Sequence, residues 1–120
     1  MKIFVTGGAG FIGKNLVKKL APKHELIIYE NFSNSAEEDF SKLLQENISL
    51  IKGDLTDYSL LKKSLRDIDL VIHLAAKIDI SETIMHPEIT HKTNVEGSLN
   101  LLRSCVENNV KNFIASSSAA

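Results

Sequence analysis

The sequence of 120 residues predicts an α/β fold, a doubly wound parallel sheet with helices on both faces. Two observations predict it. Short apolar runs alternate with segments of helical periodicity along the whole chain, the pattern of repeated β-α-β units. The first run, Ile3-Phe4-Val5, passes directly into a glycine string, Thr6-Gly7-Gly8-Ala9-Gly10-Phe11-Ile12-Gly13. Glycines there turn the chain, admit an anion against bare backbone, and open a helix whose N–H groups and dipole face that anion.

Each element follows in order. Residues 2–6 form the first strand. Ile12 to Leu20 form a helix, with Leu16, Val17 and Leu20 at helical spacing and Pro22 ending it. His24 to Tyr29 is the second strand. Ser35 and Glu38 have capping-box spacing and open a helix to Glu46. Ile48 to Lys52 is the third strand, closed by Gly53, and a short helix runs from Asp57 to Arg66. Leu70 to Leu74 is a buried fourth strand. The longest helix spans Glu88 to Asn109, its first turn set by Pro87. Asn112 to Ser116 is the fifth strand. Right-handed crossovers and a phosphate loop on strand one give a Rossmann-like sheet of order 3-2-1-4-5, with residues 1–120 as one dinucleotide-binding domain.

Composition narrows the function. The chain is 43% hydrophobic with a formal net charge of −1, an ordinary globular balance with no basic field for nucleic acid or anionic lipid. No apolar run reaches membrane-spanning length, so no membrane partner is expected. The single cysteine, Cys105, lies in a helical pattern and reads as a core residue of a cytoplasmic protein. The histidines have no metal-ligand spacing with cysteine or carboxylate, and no metal is assigned.

The distinctive residues fall at strand ends. Gly7, Gly10 and Gly13 would admit a pyrophosphate; Gly13 also suits close packing of helix on strand. Glu30 ends strand two, about twenty residues on, where an acid accepts from adenosine ribose hydroxyls; the alternative is a solvated loop-edge acid. Its charge opposes a 2′-phosphate, and residues 31–36 contain no Lys or Arg, so NAD is favoured over NADP. Asp54 either meets the adenine amino group, with Leu55 over the ring, or caps a turn. Leu74, Ala75 and Ala76 end strand four at the switch point, small enough for close backbone approach. His73 precedes them inside an apolar strand and reads as a hydrogen-bonded core histidine.

These segments, with Asn94-Val95-Glu96-Gly97-Ser98-Leu99 and Phe113-Ile114-Ala115-Ser116-Ser117-Ser118, resemble the extended short-chain dehydrogenase/reductase family. Within it they are most similar to nucleotide-sugar epimerases and dehydratases, the UDP-glucose 4-epimerase group above all. Glu30-Asn31-Phe32-Ser33-Asn34-Ser35 resembles the adenosine-side loop, with glutamate in place of the more usual aspartate. The resemblance implies that Phe11 and Ile12 join the glycines in holding the pyrophosphate. It implies too that Asn31, Asn94 and Ser116 join the NAD-binding residues, Asn94 as the structural and catalytic asparagine of the long helix. It also implies that Ser118 is the catalytic serine. For Asn94 a helix-surface amide, and for Ser116 to Ser118 a polar strand end, are the plain alternatives.

The family's acid/base, a Tyr-x-x-x-Lys pair, is expected beyond Ser118, past the last residue of this sequence. Tyr58-Ser59-Leu60-Leu61-Lys62 fits the spacing but opens the helix after strand three, on an ordinary packing face. The resemblance therefore implies the NAD-binding portion of a longer nucleotide-sugar 4-epimerase, itself unable to turn over substrate. A 4,6-dehydratase and a naturally short, non-catalytic NAD-sensing domain stay open. Ile89, Val95, Leu99, Leu102 and Val106 form an apolar stripe that suits either packing on the sheet or a homodimer.

Overall fold

A computed structural model describes residues 1–119. A parallel sheet covered on both faces has no solvent side, so its strands are continuous apolar runs rather than alternating ones. Five strands pair in the order β3-β2-β1-β4-β5: β1 (Lys2–Thr6), β2 (Glu25–Glu30), β3 (Ile48–Lys52), β4 (Leu70–His73) and β5 (Asn112–Ala115). The three central ones have such apolar runs, while β5 is largely exposed. All four pairings are parallel; Val5, for example, sits between Ile28 and Ile72. The sequence reading of fold and strand order is thus met.

The two-residue period of a strand then sorts the core into two. Ile3 and Val5 of β1 face one side with Leu26, Ile28 and Ile72, covered by α1 (Phe11–Leu20) through Val17 and by Phe40. Phe4 faces the other with Tyr29 and Val71, under Leu61 and Leu101. Phe4 and Tyr29 rings lie 5.6 Å apart. Leu61 comes from α3 (Tyr58–Ser64), and Leu101 from α6 (Ser98–Glu107). Each such fully buried leucine is worth about 2–5 kcal/mol against alanine.

Three expectations are corrected. The Ser35–Glu38 capping box does not form: α2 is only Glu37–Ser41, begins after Ala36, and has no side-chain cap. It stops short of Glu46 because Leu43 and Leu44 bond three residues back, to Phe40 and Ser41, once Phe40 has made the buried contact. A helix the reading lacked, α4 (Ile80–Met85), follows β4; Asp79 caps it by accepting from the Glu82 N–H at 2.7 Å. The long helix starts at Pro87 and ends at Glu107, and it is not uniform. Between α5 (Pro87–His91) and α6 lies a π-helical segment, Lys92–Gly97.

The apolar stripe on this helix lies outside both cores. Ile89, Val95, Leu99, Leu102 and Val106 are all exposed, Val106 at 77%, so packing on the chain's own sheet does not account for them. Among the described residues no helix is long and apolar enough to cross a membrane.

Candidate cofactor site

The carboxyl ends of β1 to β4 open onto a cavity of about 860 Å³, near the top of the usual range for small-molecule pockets, about 300–1,000 Å³. It sits beside the β1–β4 pairing, where strand order reverses. Gly7 leaves β1 at φ +71°, and Gly10 N–H closes the turn on the Gly7 carbonyl at 3.1 Å. A Cβ on Gly7 would lie 2.7 Å from the Ala75 nitrogen; one on Gly13 would strike the Gly7 carbonyl oxygen and lie 2.7 Å from Gly8 Cα. The chain is therefore bare where the loop meets β4 and where α1 crosses the loop.

Helix α1 begins at this turn with Gly10 as its N-cap. No side chain caps it and its first turn has no acid, so its leading N–H groups keep their capacity for an anion. Phe11 and Ile12 line the cavity with their side chains in solvent, at 87% and 64% exposure. Lys14 and Lys18 add cationic side chains to the same wall.

Glu30 ends β2 at the cavity and reaches back to the loop. One carboxylate oxygen accepts the Ala9 N–H and the other the Phe32 N–H, both at 3.2 Å. Phe32, at φ +58°, is one of the few non-glycine residues in the left-handed region, and the Glu30 bond helps hold it there. Asn31 donates to Asp54 at 2.9 Å. The other Asp54 oxygen takes the Thr56 N–H and hydroxyl at 2.9 and 2.8 Å. Burial acts to raise the Asp54 carboxyl, but these bonds and the Lys92 charge outweigh it, and the net shift is downward. Asp54 closes the turn before α3, as one sequence reading had it, and it also lines the cavity. Leu55 lines the cavity while its side chain is buried in the second core.

The opposite wall is Leu74, Ala75 and Ala76, with Ser116 beyond them. Ser116 N–H donates to the His73 carbonyl at 3.3 Å, extending the β4–β5 pairing by one bond. Ser118 is exposed and outside the lining. Asn94 also lies outside it, its amide held by the backbone of Lys77, which does line the cavity. Sequence reasoning passed over Lys77 and Thr6. The Thr6 hydroxyl accepts the Ala75 N–H at 3.2 Å, and a hydroxyl at the end of a buried strand beside the glycines was the available signal.

His73 is buried as expected, between Thr6 Oγ1 at 2.7 Å and Ser98 Oγ at 2.9 Å. Burial holds its ring below the ordinary histidine value. Tyr58 and Lys62 belong to the α3–α6 contact instead of the cavity: Arg103 lies 5.0 Å over the Tyr58 ring, and Lys62 pairs with Glu107 at 3.2 Å. Cys105 is buried in the second core.

Comparison with known proteins agrees with this geometry. Residues 3–120 match the model of the NAD dependent epimerase/dehydratase family. UDP-glucose 4-epimerase of Pasteurella multocida (strain Pm70) is 34% identical over 99% of this chain, which spans 37% of that relative's length. A UDP-N-acetylglucosamine 4-epimerase from Methanobrevibacter ruminantium M1, solved with UDP-N-acetylmuramic acid, superposes with a TM-score of 0.91. It is 37% identical, over 98% of this chain and 38% of its own. A dTDP-glucose 4,6-dehydratase from Streptomyces venezuelae, solved with NAD bound, gives a TM-score of 0.87 at 29% identity, over 94% of this chain and 38% of its own. The chain belongs to the NAD dependent epimerase/dehydratase family.

Proposed function

We propose that this chain is the NAD-binding part of a nucleotide-sugar 4-epimerase acting on a UDP-glucose or UDP-galactose type substrate in the cytoplasm. One observation carries the reading: an uncapped helix start, bare of Cβ atoms at Gly7 and Gly13, opens beside the Glu30 carboxylate in one cavity. The α1 N–H groups at Phe11, Ile12 and Gly13 take the pyrophosphate. Glu30 accepts from the adenosine ribose, Asn31 and Asp54 border the adenine, and Leu55 covers it. Leu74, Ala75, Ala76 and Ser116 line the nicotinamide end, which Asn94 steadies through Lys77. NAD, when bound, supplies the hydride acceptor and donor for sugar C4.

Ser118 is the residue we assign to the sugar oxygen, on its resemblance. Because the chain lacks a Tyr-x-x-x-Lys pair at the cavity, it should bind cofactor without epimerising. The exposed stripe on α5 to α6 supports self-association of two copies, which light scattering against concentration reads directly.

Titration calorimetry with NAD and NADP tests the cofactor. Tighter binding of NAD is expected, since Glu30 repels a 2′-phosphate; tighter NADP binding, drawn by Lys14 and Lys18, would overturn it. Parent-like epimerase turnover by this chain alone would overturn the inactivity. The 4,6-dehydratase reading rests on the Streptomyces likeness, and a dehydratase assay of the enzyme carrying this segment separates the two. A chain of this length that binds NAD and never occurs with a Tyr-x-x-x-Lys segment would be a sensing domain.

A further inference from the structure

Among the buried titratable side chains without a part in the proposed site is His73, at the end of β4. Its surroundings set the direction of every hydrogen bond around it. The Ser98 hydroxyl donates its one proton to the Asn94 carbonyl at 2.7 Å, so toward His73 Nε2, at 2.9 Å, it offers only a lone pair. Nε2 must therefore carry the hydrogen. On the other side, Thr6 Oγ1 accepts the Ala75 N–H at 3.2 Å and a share of the Leu74 N–H at 3.2 Å. Its own proton is left for His73 Nδ1, 2.7 Å away. A neutral ring with hydrogen on Nε2 satisfies every group. An imidazolium would set the Nδ1 hydrogen against the Thr6 proton, and the Nδ1–H tautomer would set two protons against Thr6 and two lone pairs against Ser98.

The chain of bonds has two ends, and both lie on the same wall. It begins at the Ala75 N–H and passes through Thr6, His73 and Ser98 to the Asn94 carbonyl. The Asn94 side chain then grips Lys77 N–H at 2.8 Å and Lys77 C=O at 2.9 Å. Residues 74–77 are thus tied at Ala75 and at Lys77 by one ring. This wall has little slack, because a Cβ at Gly7 would already sit 2.7 Å from the Ala75 nitrogen. We propose that His73, as the neutral Nε2–H tautomer, is a positioning residue that fixes the Leu74–Lys77 backbone as the nicotinamide-side wall of the cofactor site. The cofactor part of this rests on the NAD reading above; the tautomer and the tethering do not. A histidine serving only to fill the core would have no need of one tautomer, and its neighbours' hydroxyls would be replaceable by methyls.

The test uses this chain, ¹⁵N-labelled, with NMR of the imidazole nitrogens, amide hydrogen exchange and NAD titration. The wild-type ring should show an unprotonated Nδ1 and a protonated Nε2 near neutral pH. Thr6→Val, which keeps shape and removes the hydroxyl, should speed exchange at the Ala75 amide and weaken NAD about tenfold, the scale of one lost hydrogen bond. Thr6→Ser should restore both to within about twofold of wild type on the same scale. Ser98→Ala removes only the Nε2 acceptor and, with Thr6 still donating to Nδ1, should leave the ring in the Nε2–H form. An Nδ1–H ring in the wild type, or unchanged Ala75 exchange in a folded Thr6→Val, would overturn the proposal. If the wild type binds no NAD, the cofactor reading falls, while the nitrogen spectrum and the exchange rates still decide the tethering.

Discussion

Asn94 holds both backbone polar groups of Lys77, its Oδ1 accepting the N–H at 2.8 Å and its Nδ2 donating to the carbonyl at 2.9 Å. Replacement by alanine removes both bonds at once and leaves two partly buried backbone groups unmatched. Asn94→Ala should lower stability by about 1–3 kcal/mol, read from urea unfolding. Asn94→Asp keeps one acceptor but aims the second oxygen at the Lys77 carbonyl, so it should rescue little. A variant as stable as wild type would show that the clamp is redundant.

Gly13 is a backbone contact rather than a flexible point. A methyl there meets the Gly7 carbonyl oxygen and comes within 2.7 Å of Gly8 Cα, so α1 must retreat from the loop. We expect Gly13→Ala to cost about 1–3 kcal/mol of stability, the usual scale for overpacking. NAD affinity should fall by more than about tenfold, because the helix start moves with it. Calorimetry on a variant shown to be folded by circular dichroism checks this, and undiminished affinity would contradict the proposed phosphate grip.

The depressed His73 value gives stability a direction with pH. Burial keeps the folded ring below its ordinary value of 6.5, whereas the unfolded chain protonates at about 6.5. Between those two values the unfolded state binds more protons, so stability falls as pH falls, and it is whole above about 6.5. His73→Gln removes this titration. The stability gap between wild type and variant should narrow as pH drops below about 6.5; a gap constant from pH 8 to 5 would sink the idea.

Cys105 is 5% exposed, and burial pushes its thiol up to about 11. The reactive thiolate is therefore scarce in the folded state at neutral pH. A chromogenic disulfide reagent should label it slowly in buffer and at once in denaturant. Immediate full labelling of the native chain would show that this part of the second core opens readily.

Strands were legible because a buried parallel sheet writes itself as Ile3-Phe4-Val5 or Leu70-Val71-Ile72, with little competition from other structure. Ile48–Lys52 is found residue for residue. What misled were short polar segments. Ser35 and Glu38 have the spacing of a capping box, yet Ala36 takes the cap position, and within the short helix only Phe40 is buried. Asp79 and Glu82 had the related spacing and did form a cap, but the six-residue helix behind them carries no buried side chain and so no periodic signal. The π-helical segment is set by tertiary partners, Asn94 on Lys77 and Ser98 on His73, which no local pattern contains.

The site divides along similar lines. The placing of Gly7, Ala75 and Glu30 around the cavity was readable from their positions at strand ends. Thr6 and Lys77 were not, since their parts depend on backbone groups brought from 68 to 69 residues away for Thr6 and 17 for Asn94's grip on Lys77.

The cavity floor beneath the α1 start is built from peptide groups, with Gly7, Gly10 and Gly13 contributing no side-chain atoms. A side chain at Gly7 or Gly13 would strike backbone, so the anion grip proposed above would belong to the backbone architecture itself. On the same proposal, recognition of whatever is joined to that anion would fall to the flanks, where Glu30, Asn31, Asp54 and Ser116 line the cavity. A designer seeking a different cofactor or an altered preference should therefore rebuild the flanks and leave the floor alone.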